Sequence, residues 1–196
     1  EKNDIIYFTA NRKSVLENHF YSIRFDGTEL TLLTPEPGVH RISMNPSGGV
    51  FIDSYSSIDQ PSTIVYRKIN GEIIRMLGTT DEEQVKSKHI SIPKIVRFPA
   101  ADGETILNGI ITFPANYDSG KSYPVIVYGY GMPGTQIVWN RWSGGLQQFL
   151  AKEGYMIFSM DARGMSGRGR DFKNLSYGDM ANYLSDDHAA GVEWLI

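Results

Sequence analysis

Residues 123–131 read YPVIVYGYG, and residues 155–161 read YMIFSMD. Both are short, continuous apolar runs, which are typical of strands buried on both faces of a sheet. The segment between them, GGLQQFLAKEGY (144–155), has the spacing of a short amphipathic helix. Because a strand, a helix and a strand in this order form a parallel pair with a crossover, this part of the chain predicts an α/β fold.

The predicted crossover helix has one apolar side and a defined stop. Leu146, Phe149 and Leu150 form the apolar side, and Gly154 ends the helix. A second helix is predicted over NYLSDDHAAGVEWLI (182–196). It stops on three apolar residues without a glycine, a proline or a basic cap, so we expect the chain to be an internal piece of a longer protein.

Two segments precede the α/β pattern. PKIVRFPAADGETILNGIITFP (93–114) predicts a hairpin of two strands that turns at Asp102-Gly103. Before it, the charged segment TTDEEQVKSKH (79–89) has no apolar periodicity and is interpreted as a linker or a short helix.

The first part of the chain has a different pattern. From Ile5 to about Leu77, roughly seven short runs rich in β-branched and aromatic residues alternate with turn residues. The turns include Asp26-Gly27, Asn70-Gly71 and the segment 46–49 that begins with Pro46. Such runs are typical of sandwiches and propeller blades, and four-stranded blades would divide these strands into one incomplete and one complete blade.

The composition excludes several classes of protein. The 196 residues have a net charge of −3, with 41% hydrophobic and 21% charged residues, as in ordinary globular domains. Charges of both signs are interspersed, so no broad basic surface for nucleic acid or anionic membrane is expected. No apolar run approaches the roughly 20 residues that span a bilayer, and the first residues lack the features of a signal peptide.

Metal and thiol chemistry are not expected either. The chain has no cysteine, which excludes disulfides, thiolate zinc sites and a cysteine nucleophile. Its four histidines are scattered, without a close pair or an adjacent carboxylate cluster at metal-ligand spacing. They are His19, His40, His89 and His188. We therefore expect neither a metal nor a cofactor.

Two glycine-rich loops follow the apolar runs. YGYGMPG (128–134) satisfies G-x-G-x-x-G, and Asp161 stands where an acid that binds ribose would stand, which suggests a dinucleotide site. Against this, the helix should begin at the loop, whereas Pro133, two tryptophans and a glycine pair intervene. The basic residues of the second loop lie among aspartates and favour a self-paired, solvated loop. These are Arg163, Arg168, Arg170 and Lys173, among Asp161, Asp171 and Asp179.

Ser166, within FSMDARGMSGRGRDF (158–172), lies where a hydrolase would display a nucleophile. A serine elbow needs glycine two residues before and two residues after the serine. Gly164 fits, but Arg168 occupies the second position. Ser166 is therefore not expected to be a nucleophile.

The order of β repeats, hairpin, YPVIVYGYGMPG, helix and DARGMSGRGRDF resembles the prolyl oligopeptidase family of serine peptidases, and the dipeptidyl peptidase IV branch fits best. In that family a β-propeller precedes an α/β-hydrolase domain. The resemblance implies the last blades of a propeller over residues 1–80, a linker over 81–92 and the amino-terminal portion of a hydrolase domain over 93–196. The family pattern D-x-R-G-x-G-x-R-G-x-x-F is met by Asp161, Arg163, Gly164, Arg168, Gly169 and Phe172, with Ser166 where relatives have glycine.

The resemblance implies one catalytic contributor in this chain. In relatives a tyrosine after the third hydrolase strand donates its hydroxyl to the oxyanion, and Tyr130, followed by Gly131 and Pro133, matches that position. A phenol keeps its proton at neutral pH and can stabilise negative charge on a carbonyl oxygen. From spacing alone Tyr130 would be a packing residue at a strand end, and Tyr128 is the nearest alternative on the same side.

The resemblance also implies that the nucleophile, the acid and the histidine of the triad lie outside this chain, which alone should be inactive. The intact protein is expected to be a secreted or periplasmic dipeptidyl peptidase that acts on peptides, with no nucleic acid partner and with a homodimer left open. A non-catalytic peptide-binding protein with a hydrolase-like domain is the alternative, and a dinucleotide-binding protein is a weaker one.

Other polar residues near the loops are interpreted as structural. For Asp161 and Arg163, a paired, turn-stabilising role is favoured over contact with substrate. Asp187 and His188 are adjacent on a helix, where neighbouring side chains point about 100° apart, so they do not form a catalytic dyad. Trp194 is expected to pack the last helix onto the sheet.

Overall fold

The structure is a computed structural model that describes residues 4–45, 47–87, 90–131 and 133–196. Pro46, His89 and Met132, which belong to patterns considered above, lie outside the described residues. The chain divides into two compact units. Unit 1 contains residues 1–87 and Trp139–Trp142, and unit 2 contains Lys88–Val138 and Ser143–Ile196.

Unit 1 contains two antiparallel sheets, of three and four strands, in the described part of the chain. The first sheet consists of β1 (Ile5–Ala10), β2 (His19–Arg24) and β3 (Thr31–Leu32). The second consists of β4 (Val39–Met44), β5 (Val50–Ser56), β6 (Thr63–Lys68) and β7 (Ile73–Thr79). Within each sheet every strand pairs with the next one along the chain, so the predicted division into one sheet of three strands and one of four is confirmed. Helix α1 (Glu82–Ser87) follows, within the segment interpreted as a linker or short helix.

The turns of unit 1 form where the sequence places them. Gly27 and Gly71 adopt left-handed φ angles of 84° and 91°, which glycine accepts without a steric penalty. Asp26 Oδ1 accepts the N–H of Thr28 at 2.9 Å, which closes the first of these turns.

Unit 1 contains a buried network of paired polar side chains, which no local sequence pattern indicates. The Arg67 side chain is 2% exposed and donates to Asp53 Oδ2 at 3.0 Å and to Glu36 Oε2 at 2.8 Å. His40 Nδ1 lies 2.9 Å from the same Asp53 carboxylate. His19 Nε2 lies 3.0 Å from Glu17 Oε2. Because these groups are paired, the network is explained as part of the structure of the sheets.

Unit 2 is built on one four-stranded sheet with the order β10-β11-β9-β8. Its elements are β8 (Lys94–Pro99), β9 (Ile106–Thr112), β10 (Val125–Val127), α2 (Leu146–Lys152), β11 (Met156–Asp161), α3 (Gly169–Asn174) and α4 (Met180–Leu195). Strands β8 and β9 form the predicted hairpin. Strands β10 and β11 are parallel and are joined through α2, so the predicted crossover is confirmed.

The core of unit 2 lies between the sheet and α4. Phe98, Phe158 and Met160 are almost fully buried. Gly191 of α4 lies against all three, since a Cβ atom there would meet Met160 Sδ at 2.7 Å and both rings at close range. The Trp194 ring stacks on Phe98 at 5.3 Å, which confirms that this residue packs the helix onto the sheet.

The prediction that residues 123–131 form a strand buried on both faces is wrong. The run 123–131 forms only the three-residue strand β10, and Val125 and Val127 are 43% and 40% exposed. The reason is that β10 is an edge strand whose one neighbour in the described sheet is β11.

Helix α2 buries a different side from the predicted one. Leu146 and Phe149 are exposed, whereas Gln148 and Ala151 are buried. Gln148 is buried because its amide makes two hydrogen bonds to the backbone of Ser91, at 2.9 and 2.8 Å. Gly154 does end the helix, with φ 91° and its N–H bonded to Ala151 O. In the described part of the chain, no helix combines the length and the apolar character required to cross a lipid bilayer.

Candidate oxyanion site

Tyr130 lies just beyond the carboxyl ends of two parallel strands. The ladder between β10 and β11 extends one residue past β10, because Tyr128 N donates to Phe158 O at 2.8 Å. Tyr130 comes two residues later and its side chain is 51% exposed. The carboxyl ends of parallel strands are where open α/β sheets place their ligands. The position of Tyr130 therefore suits a group that faces substrate, although its catalytic role stays a prediction.

Two glycines place the neighbouring tyrosines on the open side of this loop. A Cβ atom on Gly129 would lie 2.7 Å from His188 Nε2, and one on Gly131 would overlap Leu184 Cδ1. Both glycines therefore face α4. Since alternate residues of an extended chain point to opposite sides, Tyr128 and Tyr130 face away from that helix. Tyr128 is still held in the strand ladder, which favours Tyr130 as the residue that reaches past the sheet.

The far end of the same loop is held by Asp161, the last residue of β11. Its carboxylate is 3% exposed and accepts the N–H of Ile137 at 2.8 Å and that of Val138 at 3.2 Å. Burial raises the pKa of Asp161 to about 6, although these N–H groups act in the opposite direction. Ser166 N donates to Thr135 O at 2.9 Å, which adds a second connection between the two glycine-rich loops.

Arg163 does not pair with Asp161, so the predicted pair is wrong. Its guanidinium binds Asp187 through Nε and Nη2, with a shortest distance of 2.8 Å, and binds Asp102 through Nη1 at 2.8 Å. Arg163 N also donates to Asp187 Oδ2 at 2.8 Å. The two acids are 24 and 61 residues away along the chain, beyond the reach of a pattern search.

This ion cluster joins three elements of unit 2. Asp102 lies in the turn between β8 and β9, Arg163 follows β11, and Asp187 belongs to α4. Burial tends to raise the pKa of Asp102, but hydrogen bonds from Thr105 and Glu104 and the charge of Arg163 lower it to about 2. Asp102 therefore stays ionised at neutral pH, and the cluster has a structural role.

Arg168 is not paired with an aspartate of its own loop as predicted, whereas Arg170 is. Arg168 Nη1 donates to Ile106 O at 2.6 Å, and its guanidinium lies 4.0 Å from the centroid of the Phe172 ring. Burial lowers the pKa of Arg168. Arg170 and Asp171 form an exposed contact at 3.6 Å. Only this last contact resembles the expected solvated pairing.

Neither candidate catalytic constellation of the sequence forms in the structure. Asp187 is occupied by Arg163, and His188 Nδ1 lies 2.7 Å from Leu184 O, so Asp187 and His188 form no dyad. Ser166 belongs to the turn that its backbone N–H fastens to Thr135, in agreement with the interpretation that it is structural.

The loop 128–134 also lacks the geometry of a dinucleotide site. The first helix after it is α2, which begins at Leu146, so in the described residues no helix amino terminus meets the loop. A search of the described residues finds no group of three or more His, Asp or Glu side chains placed to hold a metal ion.

Comparison with known proteins shows which proteins the chain is similar to. Residues 1–62 match the dipeptidyl peptidase IV N-terminal region, and residues 142–196 match the prolyl oligopeptidase family. The chain is therefore similar to the prolyl oligopeptidase family at both ends. Its relatives include probable dipeptidyl-aminopeptidase B of Arthroderma gypseum, 29% identical over 95% of this chain, and that of Emericella nidulans, 28% identical over 95%. The chain spans 21% of the length of each of these two relatives.

Two solved structures of dipeptidyl peptidases show the same fold. Porphyromonas gingivalis dipeptidyl peptidase 4 superposes with a TM-score of 0.91 at 23% identity, over 100% of this chain and 28% of that one. A putative dipeptidyl aminopeptidase IV from Bacteroides ovatus gives 0.83 at 28% identity, over 100% and 30%. The predicted fold class, antiparallel propeller-type blades followed by the first part of an α/β-hydrolase sheet, is confirmed.

Sequence reasoning proposed Tyr130 as a site residue but missed how its loop is held. The alternation Tyr-Gly-Tyr-Gly was a usable signal, because glycines at every second position of an extended segment indicate close approach of another element on one side. The hydrogen bonds from Ile137 and Val138 to Asp161 had no local signal, since 24 residues separate Ile137 from its acceptor.

Proposed function

We propose that this chain is part of a serine exopeptidase of the dipeptidyl peptidase type and that Tyr130 supplies an oxyanion donor. The observation that carries the proposal is the position of Tyr130 past the carboxyl ends of β10 and β11, with glycines on both sides that turn toward α4. The names of the relatives and solved structures, all dipeptidyl peptidases or aminopeptidases, support the reaction class.

The proposed chemistry is acyl transfer. The hydroxyl of a serine outside these residues attacks the carbonyl carbon of a peptide bond, a histidine takes the hydroxyl proton, and the carbonyl electron pair moves to oxygen. Tyr130 Oη–H donates to this oxyanion and keeps its own proton. Collapse of the intermediate expels the amine, which receives the proton from the histidine, and water then hydrolyses the acyl-enzyme. One such donor contributes about 2.7–4 kcal/mol to transition-state stabilisation.

The proposal also includes the substrates, the location and the partners of the intact protein. The substrates are short peptides cleaved after a proline or an alanine near the amino terminus, and the protein is secreted or periplasmic. A homodimer is compatible with this function, and nucleic acid is not a partner. The composition supports the last point, since a net charge of −3 with interspersed signs offers no basic surface.

The test is Tyr130→Phe in the full-length protein that carries these residues, assayed on dipeptide-releasing substrates. Losing the hydroxyl is expected to lower kcat about 10²–10³-fold, with little change in thermal unfolding, because only a half-exposed hydroxyl is removed. Tyr128→Phe is the matched control and should leave kcat within about twofold of the wild type. Equal turnover in the wild type and Tyr130→Phe would remove Tyr130 from the mechanism.

A second measurement separates the enzyme from the peptide-binding alternative. A fluorophosphonate probe reacts covalently with an activated serine, so it should label the full-length protein and continue to label Ser166→Ala. A protein that binds peptides but is not labelled would favour the alternative. The sequence that follows Ile196 in the full-length protein should then also lack G-x-S-x-G within roughly 20 residues.

A further inference from the structure

The loop that contains Tyr130 is attached to β11 at both ends. At its start, Tyr128 N donates to Phe158 O at 2.8 Å, and at its end Ile137 N and Val138 N donate to the Asp161 carboxylate. Phe158 and Asp161 are three residues apart on the same strand. The described residues at the two ends of this loop are therefore attached to the same strand.

From this we infer that Asp161 is a positioning residue for the oxyanion donor: its carboxylate holds the 128–138 loop so that the Tyr130 hydroxyl stays beyond the sheet edge. The inference rests on the proposed function of Tyr130. Asp161 itself touches neither substrate nor the reacting atoms in this scheme. It acts through the backbone of Ile137 and Val138, at the opposite end of the loop from the strand ladder.

The chemistry of the contact favours a carboxylate. Two consecutive N–H groups converge on one side chain, and the ionised form offers acceptor sites on both oxygens. An asparagine at this position has one acceptor oxygen and an NH₂ group that would face an N–H donor. A carboxylate that accepts backbone N–H groups also forms shorter and stronger hydrogen bonds than a neutral acceptor.

Burying this charge costs free energy, which indicates that the contact does more than close a turn. In the described part of the chain, no Lys, Arg or His forms an ion pair with Asp161, and the nearest compensating charge acts at a distance from Arg168. Burial raises the pKa of the carboxyl to about 6, so ionising it costs more free energy in the folded protein than in the unfolded chain. An acid used only to close a turn would avoid this cost at an exposed position, as Asp26 does.

The connection between the loops is reinforced on the side of the second glycine-rich loop. Ser166 N donates to Thr135 O at 2.9 Å, and a Cβ atom on Gly167 would overlap the Gln136 side chain. The segment 135–138 is therefore packed against residues 161–167 along its length. A change at Asp161 would be transmitted to the loop through Ile137 and Val138.

The test is a double-mutant cycle on kcat in the full-length protein with Asp161→Asn and Tyr130→Phe. If Asp161 acts through Tyr130, Asp161→Asn lowers kcat about tenfold in the wild type, and by less than about twofold when the hydroxyl is already absent. Asp187→Asn is the matched control, because Asp187 is an equally buried acid that binds Arg163 and not the loop. Asp187→Asn should change kcat by the same factor in the wild type and in Tyr130→Phe.

The outcomes separate the two proposals. Equal losses from Asp161→Asn in both backgrounds, or no loss in either, would overturn the positioning role while leaving Tyr130 as a donor. No loss from Tyr130→Phe alone would overturn the proposed function and the inference with it. If the asparagine variant does not fold, Asp161→Glu, which keeps the charge but shifts the oxygens by one methylene, takes its place in the same cycle.

Discussion

Asp161 shows how far a single residue could be predicted from the sequence. Its place at the end of a strand followed from the position of the apolar run before it. Its partners did not follow, because Ile137 and Val138 carry no mark of their bond to a carboxylate 24 and 23 residues away. Arg163, the neighbour expected to pair with it, binds Asp187 instead.

The raised pKa of Asp161 predicts a pH-dependent stability. The pKa rises from an ordinary value of 3.8 to about 6, so the folded protein keeps this proton to higher pH than the unfolded chain. The contribution is fully present below pH 3.8, decreases as the pH rises through about 6, and then stays constant. From pH 4.5 to 8 the wild type should lose about 2 kcal/mol of unfolding free energy relative to Asp161→Asn. Thermal unfolding of both proteins across this range measures the difference.

Asp102→Asn is the control for this titration. The pKa of Asp102 is lowered to about 2, so this acid is ionised throughout the range and its variant should show no pH-dependent difference from the wild type. Parallel stability curves for Asp161→Asn and the wild type would show that Asp161 does not titrate there.

At the scale of elements, the sequence predicted which segments form helices and strands better than which sides they bury. The crossover from β10 through α2 to β11 followed from local apolar runs and a glycine stop. The exposure of β10 and of Leu146 and Phe149 did not, because burial depends on what lies next to an element in space. Gln148, a polar residue, is buried since its amide meets the backbone of Ser91, a partner 57 residues away.

The Arg163 cluster joins three elements, and its removal should be costly. The Arg163 side chain is 9% exposed and that of Asp187 is fully buried, so Arg163→Met leaves a buried charge without its partner. We expect a loss of about 3–5 kcal/mol of unfolding free energy, seen as a lower midpoint of thermal unfolding. Arg163→Lys should recover part of it, because it restores the charge but not the fork of donors.

The double variant Arg163→Met with Asp187→Leu distinguishes a lost ion pair from lost packing. With both charges replaced by apolar groups, most of the stability should return. A double variant as unstable as Arg163→Met alone would show that the cluster stabilises unit 2 through its hydrogen bonds to the backbone rather than through charge.

At the scale of the whole molecule, both units present a strand with one hydrogen-bonded neighbour in the described sheets. Among these edge strands are β7 in unit 1 and β10 in unit 2. Ile73, Ile74, Met76 and Leu77 of β7 are all more than 40% exposed, as is Val125 of β10. The order of strands could be predicted from turn residues and apolar runs. The free edges could not, because a sequence pattern does not show where a sheet stops.

Free apolar edges favour pairing between molecules, so the 196-residue polypeptide produced by itself should self-associate. Size-exclusion chromatography with light scattering should give a mass above 22.0 kDa that increases with concentration. Ile74→Lys together with Val125→Lys should reduce this, since a lysine at an edge opposes strand pairing. A constant mass of 22.0 kDa at all concentrations would contradict the prediction.

The alternation of tyrosine and glycine at 128–131 makes this stretch sensitive to length. Deleting one residue between Val127 and Tyr130 would exchange the sides on which the tyrosines and the glycines lie. An aromatic ring would then collide with Leu184 or His188 of α4, and a glycine would face outward. The insertion or deletion of a single residue is therefore not tolerated here, even where point substitutions are. In relatives of this chain, insertions and deletions should therefore occur after Gly131 and be absent from positions 128–131.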